Sequence, residues 1–590
     1  MFVNKGMSES LSHNNNANNA LYKGFWRLVI FLISFGWLVL VFSAIGLFNF
    51  TSIIVSLIAS LIFAVLIYNR LDIKIKDKKA FILVILISLL ASFATCYFAT
   101  PTVFGGRDQG AIATAAIYLA KNHQLKFSTP VSENLFQKYG PGKALNYPGF
   151  DYTKDGKLVS RFPVAYTSYL AAAYNLFGLK GIQYANLPFL LLFLVIFWLI
   201  LREFFSAGVS FPGFLLAASF FPFLWFAKYA LTETYMLFLV WTGILLLIYY
   251  LKEKKDLFLY LALASFGLSA LARIEGIIFL LLAVGYVHFL ANKKIILKPK
   301  YHKYLFIFIV FFIFLYTFLN FPALFDSLKN IAKEFIPGSG KASGSSANTY
   351  SRLLTIFLNY NILVYVAGGL LAIIYFIYNF RKNFLKKEFI PLIILFPALV
   401  YLFLPLISLD DPWMLRRYVF AVFPLLIFYS LYALEKFFYH KTFLYLALTI
   451  LVVANGFISG IFIKTSENKD LLPQIKEISQ NFGPNDLILV DRLATGSGWS
   501  LMSEPLSSIY GKQAVYFFNA DDLKAINQPR YDNIYLITPF TEEKEWYSDT
   551  SKTMNKVVLV NNNYLESQPG IFKVAADIQQ ITYTVIWKIK

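Results

Sequence analysis

The chain has 590 residues, of which 58% are hydrophobic and only 15% charged, and it carries a formal net charge of +20. A water-soluble protein carries about a quarter charged residues, so this composition belongs to a polytopic membrane protein. Lysine and arginine fall in short clusters between apolar runs rather than in one stripe, which argues for membrane topology and against nucleic-acid binding.

In chain order, residues 1–24 are polar and Asn/Ser-rich and read as a disordered cytoplasmic tail. The apolar run Phe25–Phe48 is too long for a signal-peptide core and reads as a retained helix. With a second run at 51–69 it forms an N-terminal transmembrane hairpin over 25–79. Runs long enough to span follow at about 80–99, 184–201, 209–227, 233–251, 257–272, 275–291, 303–320, 354–378, 388–408, 417–437 and 442–463. Because a crossing needs about 20 apolar residues, the 257–272 and 275–291 pair is short. About 13 crossings are expected in all, with 80–464 as the transmembrane catalytic domain.

The basic loops Arg70–Lys79, Arg202, Lys252–Lys255, Lys293–Lys303, Arg381–Lys387 and Lys436–Lys441 alternate along the chain, which places them in the cytoplasm. The opposite side then holds the loop 100–183, Lys228–Glu233, Arg273–Glu275, the loop 321–353, Asp410–Arg417 and everything after Lys464. Phe162–Gly178 is apolar too, but a crossing there would turn every later basic loop outward. It is expected to lie in the outer interface or only dip into the membrane. Pro337–Ser343 lacks the first glycine of a phosphate-binding loop and follows no strand, so it reads as a flexible linker.

From Ser466 the composition changes. Asp486–Asp491, Ala514–Phe518, Asn533–Thr538 and Val557–Val560 are strand-like, with helix-compatible stretches at Leu471–Phe482 and Asp521–Asn527. Strands alternating with helices predict a small extracytoplasmic α/β domain over 465–590. Gly496-Ser497-Gly498-Trp499 reads as a surface loop within it.

On the outward side, charges gather at membrane depth: Asp108, Glu233, Arg273, Glu275, Asp410, Asp411, Arg416 and Arg417. Each alone is explained as an interfacial anchor or salt bridge. Several in successive loops point to a protein interior or an aqueous cavity. Transfer of a sugar from a lipid-linked donor would use such a set. An inverting displacement needs a carboxylate to take the acceptor's proton and arginines to hold the departing phosphate. Asp108 suits the base, and Arg273, Arg416 and Arg417 suit the phosphate. Arg107, Glu133, Tyr139, Tyr147, Arg161, Lys228 and Glu233 are candidate substrate-binding residues around them. The alternative for Asp108 is a helix cap or a pair with Arg107. No soluble dinucleotide-type fold is evident for a nucleotide-sugar donor. The single cysteine, Cys96, and five scattered histidines offer no metal-ligand spacing.

These motifs, in this order, resemble the GT-C glycosyltransferases, in particular the bacterial family 39 enzymes related to protein O-mannosyltransferases and lipid A aminoarabinose transferases. The resemblance covers roughly residues 80–440. It rests on Gly106-Arg107-Asp108-Gln109-Gly110, Arg161-Phe162-Pro163-Val164-Ala165-Tyr166, Leu231-Thr232-Glu233, Ala272-Arg273-Ile274-Glu275-Gly276 and Trp413-Met414-Leu415-Arg416-Arg417-Tyr418. It implies a polyprenyl-phosphate sugar as donor, Asp108 as the catalytic carboxylate and an outward-facing site in the cytoplasmic membrane. It fixes neither the sugar nor the acceptor (lipid, glycan or protein), requires no organic cofactor and admits a divalent cation. The chain departs from the family's pattern in its Phe162-Pro163 pair and in lacking an obvious second acid in the first loop, where Glu133, Asp151 and Asp155 are candidates without a motif. The competing readings are a polysaccharide polymerase or ligase, a transporter of lipid-linked glycans, and a non-catalytic scaffold. No internal repeat supports the transporter.

Overall fold

The computed structural model describes residues 4–71, 77–105, 107–296, 346–379, 386–403, 410–496, 501–540 and 553–589, with a few positions between 306 and 314. The linker 337–343, most of the 303–320 run, Gly106 and residues 497–499 lie outside that set.

Helices α1 (Asn4–Ala44) and α2 (Phe50–Leu71) form the N-terminal hairpin, and α3 (Lys78–Tyr97) follows. Helix α1 starts at Asn4, inside the stretch expected to be disordered. Residues 4–24 contain no proline to stop a helix propagating back from the apolar span. On α2, Ser52, Ser56 and Ser60 recur every four residues and are buried, while Leu61 and Leu66 on other faces are exposed. Small side chains face the protein and large apolar ones face outward, as in helices solvated by lipid.

The first loop carries α4 (Asp108–Asn122), α5 (Pro130–Tyr139) and α6 (Val164–Phe177), with short strands β1 (Lys126–Phe127), β2 (Gly142–Lys143), β3 (Phe150–Tyr152) and β4 (Leu158–Ser160). The strands form an antiparallel sheet of order β1-β4-β3-β2. At 14 residues α6 rises about 21 Å, less than the hydrocarbon thickness of a bilayer.

The bundle continues through α7 (Leu179–Gln183), α8 (Leu187–Phe204), α9 (Ala207–Ala218), α10 (Phe221–Ala227), α11 (Thr232–Glu253), α12 (Asp256–Ala270) and α13 (Glu275–Asn292). It ends in α14 (Ser346–Asn359), α15 (Leu363–Tyr378), α16 (Ile390–Leu395), α17 (Val400–Phe403), α18 (Val422–Phe437) and α19 (Lys441–Phe462). Helix α11 is central and almost wholly buried. Where α9 bends into α10 by 45°, side chains take over the freed backbone groups. Asn455 donates to the Leu216 carbonyl and Ser459 to that of Ser219, and at the far end of α10 Asn186 donates to those of Ala227 and Tyr229. A broken helix inside a membrane survives only with such replacements.

Among the described residues, seven helices are long and apolar enough to cross a membrane, or nine if each of two bent pairs is one span. The 257–272 run gives the 15-residue α12. The 388–408 run is cut into 3-10 turns and the short α16 and α17, with Pro391 and Pro397 at the starts of two pieces. Most of the 417–437 run forms the 16-residue α18, preceded by the 3-10 turn Trp413–Tyr418. Apolar composition marks these runs; proline decides whether one straight helix fills them.

After α20 (Leu471–Ser479) the chain forms β5 (Leu487–Val490), α21 (Ser503–Ser508), β6 (Gln513–Tyr516), α22 (Asp522–Ala525), β7 (Ile534–Pro539), β8 (Thr553–Glu566) and β9 (Ala576–Lys588). The sheet order is β6-β5-β7-β9-β8, with the first three strands parallel and the β8–β9 hairpin antiparallel. This sheet does not stand apart. Phe127, Leu135, Tyr147 and Phe150 of the first loop share one apolar core with Leu487, Leu489, Val515 and Leu536. A buried carboxylate, Asp522, ties the two together by accepting from Lys138 Nζ at 2.8 Å, Tyr139 Oη at 2.6 Å and Asn146 Nδ2 at 3.0 Å.

Candidate active site

The loop leaving α3 turns sharply into α4. A side chain at Gly110 would collide with the Phe104 carbonyl, so this close approach needs glycine. Arg107 is the N-cap residue, in extended backbone and without a side-chain cap bond. Asp108 is therefore the first helical residue and not the cap. Its carboxylate turns outward to Arg416 and stays 47% exposed. The helix N-terminus favours the negative charge there.

Four segments far apart in sequence converge on this point. Arg416, on the turn Trp413–Tyr418, pairs through Nη1 with Asp108 and through Nε with Glu233 Oε1 at 2.6 Å. The same Glu233 oxygen accepts from Arg273 Nη1 at 2.6 Å. Arg273 also donates to Thr232 Oγ1 at 3.2 Å and holds both oxygens of Glu275, at 3.0 and 3.3 Å. Tyr401 donates to Glu275 Oε1 at 2.9 Å, and the guanidinium of Arg417 lies over the Tyr401 ring. The result is a continuous row, Asp108–Arg416–Glu233–Arg273–Glu275–Tyr401, assembled where α4, α11 and α13 begin. Glu233 has no side-chain exposure, whereas Asp108 is half-exposed. Of these two acids sharing Arg416, only Asp108 can meet a substrate. Arg273 and Arg416, both expected to hold phosphate, are committed to carboxylates. Arg417 is the arginine of this group with no carboxylate partner among the described residues.

Arg107 lies on another side of the α4 start, over the Trp413 ring at 4.7 Å. Trp413 donates to Glu467 Oε1 at 3.2 Å, as does the Leu565 backbone N–H at 3.3 Å. Burial pushes the Glu467 carboxyl above its ordinary range, against the pull of the nearby Arg107. Asp411, two residues before that turn, is buried, and burial pushes its carboxyl up to about 6. Among the described residues no three His, Cys, Asp or Glu side chains come together as metal ligands.

Several expected substrate contacts are elsewhere. Lys228 is buried and spends its ammonium on the Phe462, Ile463 and Thr465 carbonyls, each at 2.7 Å, at the end of α19. It neutralises a helix C-terminus and has no donor left for a ligand. Tyr139 is bound to Asp522, and Tyr147 sits in the shared core with its hydroxyl on Thr129 at 2.8 Å. Glu133 is exposed, meeting Ser128 Oγ at 3.0 Å and Arg530 at 3.8 Å. Arg161 pairs with Asp151 through Nε at 2.6 Å within the first-loop sheet. These four hold the first loop together or against the C-terminal sheet, and none contacts Asp108 among the described residues. Sequence reasoning passed over Glu467, Gln109 and Tyr401. Glu467 follows the last apolar run by only a few residues, which was its one available signal.

No family model and no curated protein matches the sequence. The structure is similar to that of ArnT from Cupriavidus metallidurans bound to undecaprenyl phosphate, at 12% identity and a TM-score of 0.50, covering 86% of this chain and 97% of that one. The apo structure of the same protein aligns over the same shares at 13% identity and a TM-score of 0.46. The chain thus has a GT-C-like membrane fold, with many apolar helices and a C-terminal sheet domain.

Proposed function

We propose that this protein is a membrane glycosyltransferase that moves a sugar from a polyprenyl-phosphate donor to an acceptor hydroxyl, with inversion, at the outer face of the cytoplasmic membrane. In this reading about 13 helices cross, and both Asp108 and the C-terminal sheet lie outside. The observation that carries it is the pairing of an accessible carboxylate with a buried row of arginines and acids, all at one end of the bundle. The resemblance of the motifs and the GT-C-like fold support the donor class.

Each group has a task in the displacement. Asp108 takes the proton of the acceptor hydroxyl as its oxygen bonds to the anomeric carbon. The bond from that carbon to the phosphate oxygen breaks, and the lipid phosphate leaves with the electron pair. Arg417, with no carboxylate partner among the described residues, meets the phosphate first and stabilises its growing charge. Arg416 orients the base, because Glu233 holds its Nε while Nη1 faces Asp108. Glu233, Arg273, Glu275 and Tyr401 fix that arginine in place, so little reorganisation is needed as charge moves.

The test uses purified protein in vesicles containing a radiolabelled pool of polyprenyl-phosphate sugars. Protein-dependent release of polyprenyl phosphate with label appearing on an acceptor is expected. Movement of intact sugar-lipids across the bilayer without cleavage would replace this reading with a transporter.

A further inference from the structure

A cavity of about 60 Å³ lies beside the α4 start, between the first loop and the C-terminal region. It is lined from one side by Thr102, Arg107 and Gln109, and from the other by Glu467, Asn468 and Tyr564. Neither half of the chain makes it alone. At about 10–15 Å³ for each water position, it has room for roughly four to six, the size of one edge of a pyranose ring and not a whole sugar.

Gln109 and Glu467 are among its polar side chains that are more than nine-tenths buried. Gln109 is 7% exposed and Glu467 is 5% exposed. The Gln109 amide has no hydrogen-bond partner among the described residues. Leaving a buried amide unsatisfied is costly, so an occupant that both donates and accepts is favoured. Glu467 Oε1 is already bonded to Trp413 and Leu565, whereas Oε2 has no donor among the described residues. That oxygen calls for a donor. An anion would be repelled by Glu467, and a cation would face Arg107. A neutral pair of neighbouring hydroxyls fits both partners, and Tyr229 and Tyr564 also line the cavity. Gln109 follows Asp108 directly on α4, so the two side chains leave the helix start about 100° apart. The cavity therefore adjoins the helix start that carries the proposed base, without including Asp108 in its lining.

We infer that this cavity is the acceptor subsite and takes a vicinal diol, so that the acceptor is a glycan or glycolipid sugar rather than a protein hydroxyl or a simple lipid alcohol. The inference rests on the transferase reading above.

Saturation-transfer NMR on the full-length protein in nanodiscs tests it, with the methyl glycosides of glucose, galactose and mannose as probes. At least one is expected to bind. Gln109→Leu, Glu467→Gln and Leu501→Phe, the last filling the cavity from its apolar wall, should each weaken that binding at least tenfold. Binding of undecaprenyl phosphate, measured in parallel, should be unchanged. The cavity assignment is overturned if no glycoside binds, if Gln109→Leu and Leu501→Phe bind as well as wild type, or if inorganic phosphate displaces the glycoside at equal concentration. Sugar-lipid turnover without such glycoside binding would also overturn it. Gln109-dependent glycoside binding in a protein that turns over no sugar-lipid would overturn the transferase reading instead, and would leave a polyol site without a reaction.

Discussion

Asp108 and Glu233 share one arginine, yet opposite responses are expected when each is neutralised. Asp108→Asn removes the proposed base. General-base catalysis contributes about two to four orders of magnitude, or roughly 3–5 kcal/mol of barrier at 1.36 kcal/mol per decade. Its ion pair with Arg416 is half-exposed, and a screened pair of that kind contributes at most about 1 kcal/mol to folding. Asp108→Asn should therefore lose at least a hundredfold in kcat with a nearly unchanged unfolding free energy. Glu233 is fully buried and accepts from two arginines at 2.6 Å each. Removing one member of a buried ion pair costs about 3–5 kcal/mol, because the remaining charges stay desolvated. Glu233→Gln keeps an acceptor oxygen and should fall at the low end of that range, with Arg416 drawn more tightly onto Asp108 and kcat reduced as a consequence. Initial rates and denaturant unfolding in mixed micelles, run on the same preparations, separate the two. If Asp108→Asn loses less than tenfold in rate, or loses as much stability as Glu233→Gln, Asp108 is a structural partner of Arg416 and the assignment of the base is wrong.

Arg417→Ala should weaken undecaprenyl phosphate binding by about 10- to 100-fold, the loss of a charge-assisted contact of roughly 1.5–3 kcal/mol, while Arg417→Lys recovers part of it; isothermal titration reads both. Asp522→Ala leaves Lys138, Tyr139 and Asn146 without their common acceptor and should cost about 3 kcal/mol, seen as faster proteolytic release of the C-terminal region; an unchanged digestion rate would refute the clamp. A methyl group at position 105 would run into the Glu504 carboxylate, so Gly105→Ala should lower activity and stability, and the double variant with Glu504→Ala should recover much of both. Burial pushes the Glu504 carboxyl up to about 7, against about 4.3 in the unfolded chain. The folded state thus holds a proton that the unfolded state has lost, so stability falls as pH rises from about 4.5 to 7 and levels off above, by about 4 kcal/mol in all. Glu504→Gln should flatten that slope in a pH series of unfolding curves.

The membrane class was legible in the sequence because lipid solvation acts on composition: an apolar run and its flanking charges are local quantities. The grouping of Asp108, Glu233, Arg273, Glu275, Arg416 and Arg417 at one face was legible for the same reason, since topology alone puts alternate loops together. Strands β5, β6 and β7 showed as apolar runs bounded by turns. The 13-residue β9 did not, because only a few of its residues are buried and both of its faces mix apolar with polar residues. The two- and three-residue strands of the first loop are too short to show any period. Only the tertiary structure decided which charge meets which. Arg273 and Arg416 looked like phosphate ligands by type and became carboxylate partners by geometry. Lys228 was claimed by the end of a helix more than 230 residues away. Tyr139 and Tyr147 were drawn into a core shared with a sheet formed some 350 residues later. Electrostatic and packing partners are set by distance in space, and a sequence of loops on one side of a membrane orders them without saying which ones touch.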